Sequence, residues 1–255
     1  DNKYFGSIDE AIMAHRNGYV GVRAKINVLI SGKIKKTTVG RILLNQILPK
    51  GFKFINSKMD RKTLNVIVKE SFVKYGKKIT AALVDKIKDL GFYYSTNSGM
   101  TIAAADIKVP ASKPKVIAEA DAKVLEIEEQ YEEGLITDDE RYLKIIELWS
   151  NVKSRLEREM VSMYKATDPV FAMINSGARG NLAQMTQMGA MKGLVVNPTG
   201  EIIEQPVKGN YLDGLESLEY FFSTHAARKG RSDTALRTAE AGYLTRRLID
   251  VAQDV

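Results

Sequence analysis

The sequence predicts a mainly α protein with a small α+β part at its N-terminus, an antiparallel helical hairpin and one long C-terminal helix. Three observations carry this reading. Apolar residues alternate between Val22 and Ile30, helix-period stripes flank Gly134, and no proline interrupts the chain from Gly214 to Asp254.

The elements follow in order. Ser7 and Glu10 have the spacing of a capping box, which opens a short helix ending near Gly18. Val22, Ala24, Ile26, Val28 and Ile30 alternate with Arg23, Lys25, Asn27 and Leu29, the pattern of a half-buried strand. Ser31-Gly32 turns the chain into a second strand, Lys33 to Val39, and Pro49-Lys50-Gly51 breaks the apolar run beyond it. Helices are expected over Arg61–Tyr75 and Thr80–Leu90, the second closed by Gly91. Tyr93–Ala105 reads as extended, and Pro110 and Pro114 mark a boundary.

Ile117, Ala120, Val124, Ile127 and Tyr131 step by three or four residues, as do Tyr142, Ile145, Trp149, Val152 and Leu156. Thr137 and Glu140 form another capping box between the two sets. Such narrow stripes can bury each other, which favours a protruding hairpin over two helices lying on a globular core. Met173 to Gly200 is rich in glycine and methionine, and Pro198-Thr199-Gly200 turns into a short extended piece ending near Pro206. The helix that follows would be roughly 60 Å long at its full extent. The chain therefore divides at 1–110, 111–165, 166–212 and 213–255.

Composition bounds the function. Apolar residues make up 44% and charged residues 27%, values of a folded protein. The absence of cysteine excludes disulfides, thiolate metal sites and thiol nucleophiles, and His15 and His225 are too few for a histidine-rich zinc site. A reducing cytoplasm is the simplest compartment. No apolar run reaches about 18 residues, so no membrane span is expected, and there is no signal-peptide core. The chain opens at Asp1 and stops at Val255 inside a helical pattern, so a longer polypeptide is expected. No Walker loop, HExxH, GxSxG or dinucleotide fingerprint occurs, and no aspartate group could hold two magnesium ions.

A net charge of +7 favours a polyanionic partner, and its distribution says more. Between Glu119 and Glu140 the only basic residue is Lys123, whereas Arg228, Lys229, Arg231, Arg237, Arg246 and Arg247 face only Asp233 and Glu240 between His225 and Arg247. One surface repels phosphate while another attracts it.

Two stretches could carry chemistry. Arg179 lies between Gly177 and Gly180, where backbone N–H groups can converge on an anion and the guanidinium can clamp phosphate. A flexible turn with a solvated arginine is the alternative. Ala235, Thr238, Ala239, Gly242, Tyr243 and Arg246 share one helix face. Its small residues would admit a base pair, with Tyr243 as a stacking surface and Arg246 as a phosphate or base contact. Packing of that stripe against the protein itself is the alternative. Gly230 and Gly242 each weaken a helix by about 1 kcal/mol relative to alanine, which points to local bending. Met185, Met188 and Met191 read as core filler.

These residues also carry a resemblance. Ser176-Gly177-Ala178-Arg179-Gly180-Asn181, then Gln184, Gln187, Gly189 and Gly193-Leu194, resemble the F-loop segment of the bacterial RNA polymerase beta-prime family. Ser223-Thr224-His225-Ala226-Ala227-Arg228-Lys229-Gly230, with Asp233-Thr234-Ala235 and Gly242-Tyr243-Leu244-Thr245-Arg246-Arg247-Leu248, resembles its bridge helix. Thr37-Thr38-Val39-Gly40-Arg41 and Pro49-Lys50-Gly51 are similar to the stretch after its catalytic loop, and Pro114–Met160 to its secondary-channel rim helices. The likeness runs in order along essentially the whole chain; Ala226 departs from it where a glycine is common.

The resemblance implies part of a larger multisubunit enzyme, a DNA-directed RNA polymerase, inactive as this piece alone. The four segments would be a funnel or pore region, the rim hairpin, the F-loop region and the bridge helix. Thr238 and Ala239 would pack against the template base pair, Tyr243 and Arg246 would touch the template strand, and Arg237 would lie on the same cleft-facing segment. Arg179 would reach the phosphates of the incoming nucleotide. Gln184–Pro198 would support a mobile trigger loop, and Gly230 and Gly242 would act as hinges. Glu133, Asp138 and Asp139, at the hairpin tip, would receive secondary-channel factors such as transcript-cleavage proteins. Implied partners are the beta, alpha, omega and sigma subunits, template DNA, transcript and nucleoside triphosphates, with no membrane and a nucleoid-associated, cytoplasmic location. Magnesium would be held by an aspartate-rich loop outside this chain, and no zinc is expected in it. Rival readings are a stand-alone nucleic-acid-binding adapter with a protein-docking hairpin, and a purely structural hairpin protein with no salt-dependent DNA affinity.

Overall fold

The computed structural model describes residues 2–253 and forms two units, Asp1–Thr101 with Asn175–Arg179, and Ile102–Ile174 with Gly180–Val255. Helix dominates, with one small sheet near the N-terminus.

In the first unit β1 (Lys3–Phe5) runs parallel to β2 (Lys25–Ile30), which pairs antiparallel with β3 (Lys33–Thr38). Ser31 and Gly32 turn the hairpin with φ of 53° and 77°, the left-handed geometry of a two-residue turn. The side chain of Ser7 accepts from Glu10 N to start α1 (Ile8–Arg16), and that of Thr38 accepts from Arg41 N to start α2 (Val39–Ile47). Ala11, Ile12, Ile26, Val28, Val39 and Ile42 close the core between these helices and the sheet. The strand begins later than its alternation predicts. The Val22 carbonyl accepts from Gly40 N at 3.0 Å, so this stretch serves the start of α2 rather than the ladder.

α3 (Arg61–Ser98) breaks at Gly76, with φ 73° and ψ −179°. Hydroxyls of Ser71 and Thr80 hydrogen-bond at 3.2 Å, whereas nine residues of unbroken helix would rise about 13.5 Å. The chain folds sharply at Gly76, giving the two expected helices. The expected stop at Gly91 does not occur: helix continues to Ser98 and ends at left-handed Gly99 (φ 57°). Tyr94 explains the extension, because its ring lies 5.9 Å from that of His15 and its hydroxyl meets His15 Nε2 at 3.3 Å. Tertiary contact outweighs the roughly 1 kcal/mol that a helical glycine costs. Tyr93–Ser98 is thus helical, not extended.

In the second unit α4 (Lys113–Glu132) and α5 (Asp138–Ser162) form the hairpin, turned at Gly134 (φ 76°) and restarted by the Thr137–Glu140 capping box. α6 (Pro169–Ser176), which runs from this unit into the Asn175–Arg179 segment of the first, and α7 (Leu182–Gly189) are short, and α8 (Ser217–Ala252) is long. Val116, Trp149, Leu156 and Met160 share one core with Met185, Ala190 and Met191. The hairpin therefore does not protrude alone, contrary to expectation. The Tyr142 hydroxyl donates to the Ile202 carbonyl at 3.1 Å, and Arg141 pairs with Glu204 at 2.7 Å. A second face of α5 is covered by a ribbon in which Gly193 bridges to Val207 and Val196 to Ile202. Met188 is exposed, unlike Met185 and Met191. Among the described residues no helix is long and apolar enough to cross a membrane.

Candidate nucleic-acid interface

α8 is gripped at its root. Glu219 Oε1 accepts from the backbone N–H groups of Lys208 and Gly209 at 2.7 and 2.9 Å, and its Oε2 accepts from Glu216 N at 3.2 Å. Gly209 has no room for a side chain here, since a Cβ would stand 2.6 Å from Glu219 Oε2 and 2.8 Å from Leu215 Cδ2. Burial holds the Lys113 amine below its ordinary range although Asp213 and Glu219 stand nearby. The Lys192 ammonium meets the Ser223 hydroxyl, and Lys229 Nζ donates to the Pro198 carbonyl at 3.3 Å.

Beyond that root the helix stands free. Every residue from Thr234 to Gln253 is exposed, and the 19 of them in the helix, to Ala252, span about 28 Å. Ala235, Thr238, Ala239, Gly242 and Arg246 line one side, with Tyr243 at its margin and 65% exposed. Thr238 and Thr245 donate to the carbonyls of Thr234 and Ala241, each at 2.8 Å. These hydroxyls are satisfied by their own helix, which leaves a smooth surface with no unmet polar demand. The Arg247 guanidinium lies 5.5 Å from the centre of the Tyr243 ring. Arg237 is open to solvent as well, but it lies with Leu244 and Leu248 on the far side of the helix from Ala239 and Arg246. The helix runs unbroken through Gly230 and Gly242, both of which have open space where a Cβ would go. The expected C-terminus at Asp254 lies outside the described residues.

Arg179 is exposed in the segment that packs with the first unit. Its flanking glycines, Gly177 and Gly180, take φ of 74° and 78°. Lys58 Nζ donates to the Asn175 carbonyl at 2.7 Å and to Asn175 Oδ1 at 2.8 Å. At the hairpin tip Glu133, Asp138 and Asp139 are exposed, and Asp138 is engaged by Arg141 at 2.9 Å. Among the described residues no three histidine, aspartate or glutamate side chains converge as a metal site.

Sequence reasoning passed over Glu219, Lys58 and the Arg141–Glu204 pair. Glu216 and Glu219 do have capping-box spacing, which could have marked the start of α8. Lys58 offered no signal, because its partner lies 117 residues away.

Comparison with known proteins adds the family. The models described as RNA polymerase Rpb1, domain 3, domain 4 and domain 5 match residues 1–107, 136–226 and 214–255. A DNA-directed RNA polymerase subunit beta' from Moorella thermoacetica is 46% identical, over 100% of this chain and 22% of the relative. That from Acidothermus cellulolyticus is 44% identical, over 100% and 21%. That from Bdellovibrio bacteriovorus is 45% identical, over 99% and 20%. The chain spans about a fifth of the length of the curated relatives it matches. With three successive Rpb1 domains in order and beta' relatives matched along its whole length, the chain belongs to the RNA polymerase Rpb1/beta-prime family.

Proposed function

We propose that this chain shapes the active centre of a DNA-directed RNA polymerase, positioning template and incoming nucleoside triphosphate and aiding translocation. The observation that carries the reading is the bare, smooth, basic side of α8, where Ala239, Tyr243 and Arg246 are all open. Small side chains let a base pair approach the backbone, Tyr243 offers a ring face, and Arg246 contacts a template phosphate. Arg179 stabilises charge on the nucleotide phosphates, acting by position rather than by proton transfer. Gly230 and Gly242 are the bending points, and the exposed tip carboxylates receive secondary-channel factors.

The partners on this reading are the remaining polymerase subunits, template, transcript and nucleotides, in a cytoplasmic, nucleoid-associated assembly. Magnesium ligands belong to residues outside this chain. Among the described residues no three carboxylate or histidine side chains converge as a metal site.

The test uses the full-length subunit assembled into polymerase. Arg179→Ala should slow single-nucleotide addition about a hundredfold with template affinity unchanged. Arg246→Ala should slow elongation and lower the salt slope of template binding by about one. Unchanged elongation in Arg246→Ala, or equal losses of addition and binding in Arg179→Ala, would contradict the assignments.

A further inference from the structure

Nothing in that reading uses Lys58. Its ammonium donates to both oxygens of one residue, the Asn175 carbonyl at 2.7 Å and Asn175 Oδ1 at 2.8 Å. Asn175 sits in the last turn of α6, where unpaired carbonyls carry partial negative charge and favour a cation. An ammonium has three N–H donors on a flexible stem and can serve two acceptors at once.

Arg179 stands between Gly177 and Gly180, both in the left-handed region. A loop with two such glycines is permissive, so contacts from elsewhere must fix it. At its downstream end, a Cβ on Gly180 would meet Ile174 Cγ1 at 3.3 Å, and Asn181 caps α7 by accepting from Gln184 N at 2.8 Å. At its upstream end stand Lys58 on Asn175 and Arg61, whose Cβ would lie 3.4 Å from a Cβ on Gly177. Accordingly Asn175–Arg179 pack with the first unit, while the residues before and after them pack with the second.

We infer that Lys58 is a positioning residue for Arg179: by clamping Asn175 it fixes where the loop begins, and hence where the guanidinium meets the nucleotide phosphates. The inference rests on the phosphate role proposed for Arg179. Lys58→Met removes the charge and keeps most of the stem, whereas Lys58→Arg keeps donors for both oxygens.

Single-nucleotide addition is measured on a preassembled template–transcript scaffold, with full-length subunits in assembled polymerase. The variants are Lys58→Met, Lys58→Arg, Arg179→Ala and the Lys58→Met/Arg179→Ala double. Hydrogen exchange of the amides of residues 176–181 is followed in the same proteins. Lys58→Met should speed that exchange and raise the nucleotide KM about fivefold, with scaffold affinity unchanged. Lys58→Arg should restore both, and the double variant should match Arg179→Ala alone. Unchanged exchange in Lys58→Met overturns the clamp whatever Arg179 does. Faster exchange with a kinetic effect that multiplies that of Arg179→Ala overturns action through Arg179. If Arg179→Ala itself leaves addition unaltered, the phosphate reading falls, and the positioning role falls with it.

Discussion

Gly209 and Gly242 are the same residue in opposite circumstances. At Gly209 a methyl group would collide with the Glu219 carboxylate and Leu215, disturbing the cradle at the root of α8. Gly209→Ala should therefore destabilise the chain by about 1–3 kcal/mol, read as a lower urea midpoint. An unchanged midpoint would mean that the loop adjusts freely. Gly242 is helical with open space around it, so Gly242→Ala should stabilise α8 by about 1 kcal/mol. Slower amide exchange near residue 242 would register the gain, and faster exchange would contradict it. Sequence alone singled out Gly242, inside the long C-terminal helix, and offered no signal at Gly209, which precedes it. Which one is crowded depends on Glu219 folding back onto residues 208 and 209.

At the level of elements, local rules carried furthest where partners are close in sequence. The Ser7 cap, the Ser31-Gly32 turn and the Thr137–Glu140 box all join residues within a few positions. Reading failed where distant contacts decide. α3 passes Gly91 because Tyr94 docks on His15, 79 residues away, and the hairpin stripes gained a second partner in Met185 and Met191. The bare face of α8 was legible from spacing, whereas the clamp on the Arg179 loop was not. Gly76 supplies an element-scale test, because the fold of α3 needs its positive φ. Gly76→Ala should cost about 1–3 kcal/mol and loosen the Ser71–Thr80 contact. Wild-type stability would show that the bend does not require a positive φ at residue 76.

Across the whole molecule, charge sets the response to acid. Among the described residues four carboxyls are held below their ordinary range. Thr63 N–H does this for Asp60, Thr137 N–H for Glu140, the Ser112 hydroxyl for Glu159 and the Lys108 ammonium for Asp168. Depressed folded values mean that these groups stabilise the fold fully above their unfolded pKa, near 4. That contribution is lost as pH falls through the lower folded values. Urea midpoints should thus hold steady from pH 7 to about 5 and decline toward pH 3, with Glu140→Gln flattening part of the decline. A midpoint that rises on acidification would refute this account.

The distal 19 residues of α8, from Thr234 to Ala252, are all exposed. Helices of fewer than about 12–15 residues are marginal in water, and a rod of this length is little better off without neighbours. Its order is therefore on loan from whatever it touches. Separated from such company, it should melt from Ala252 inward and stop where Lys229 and Ser223 moor it.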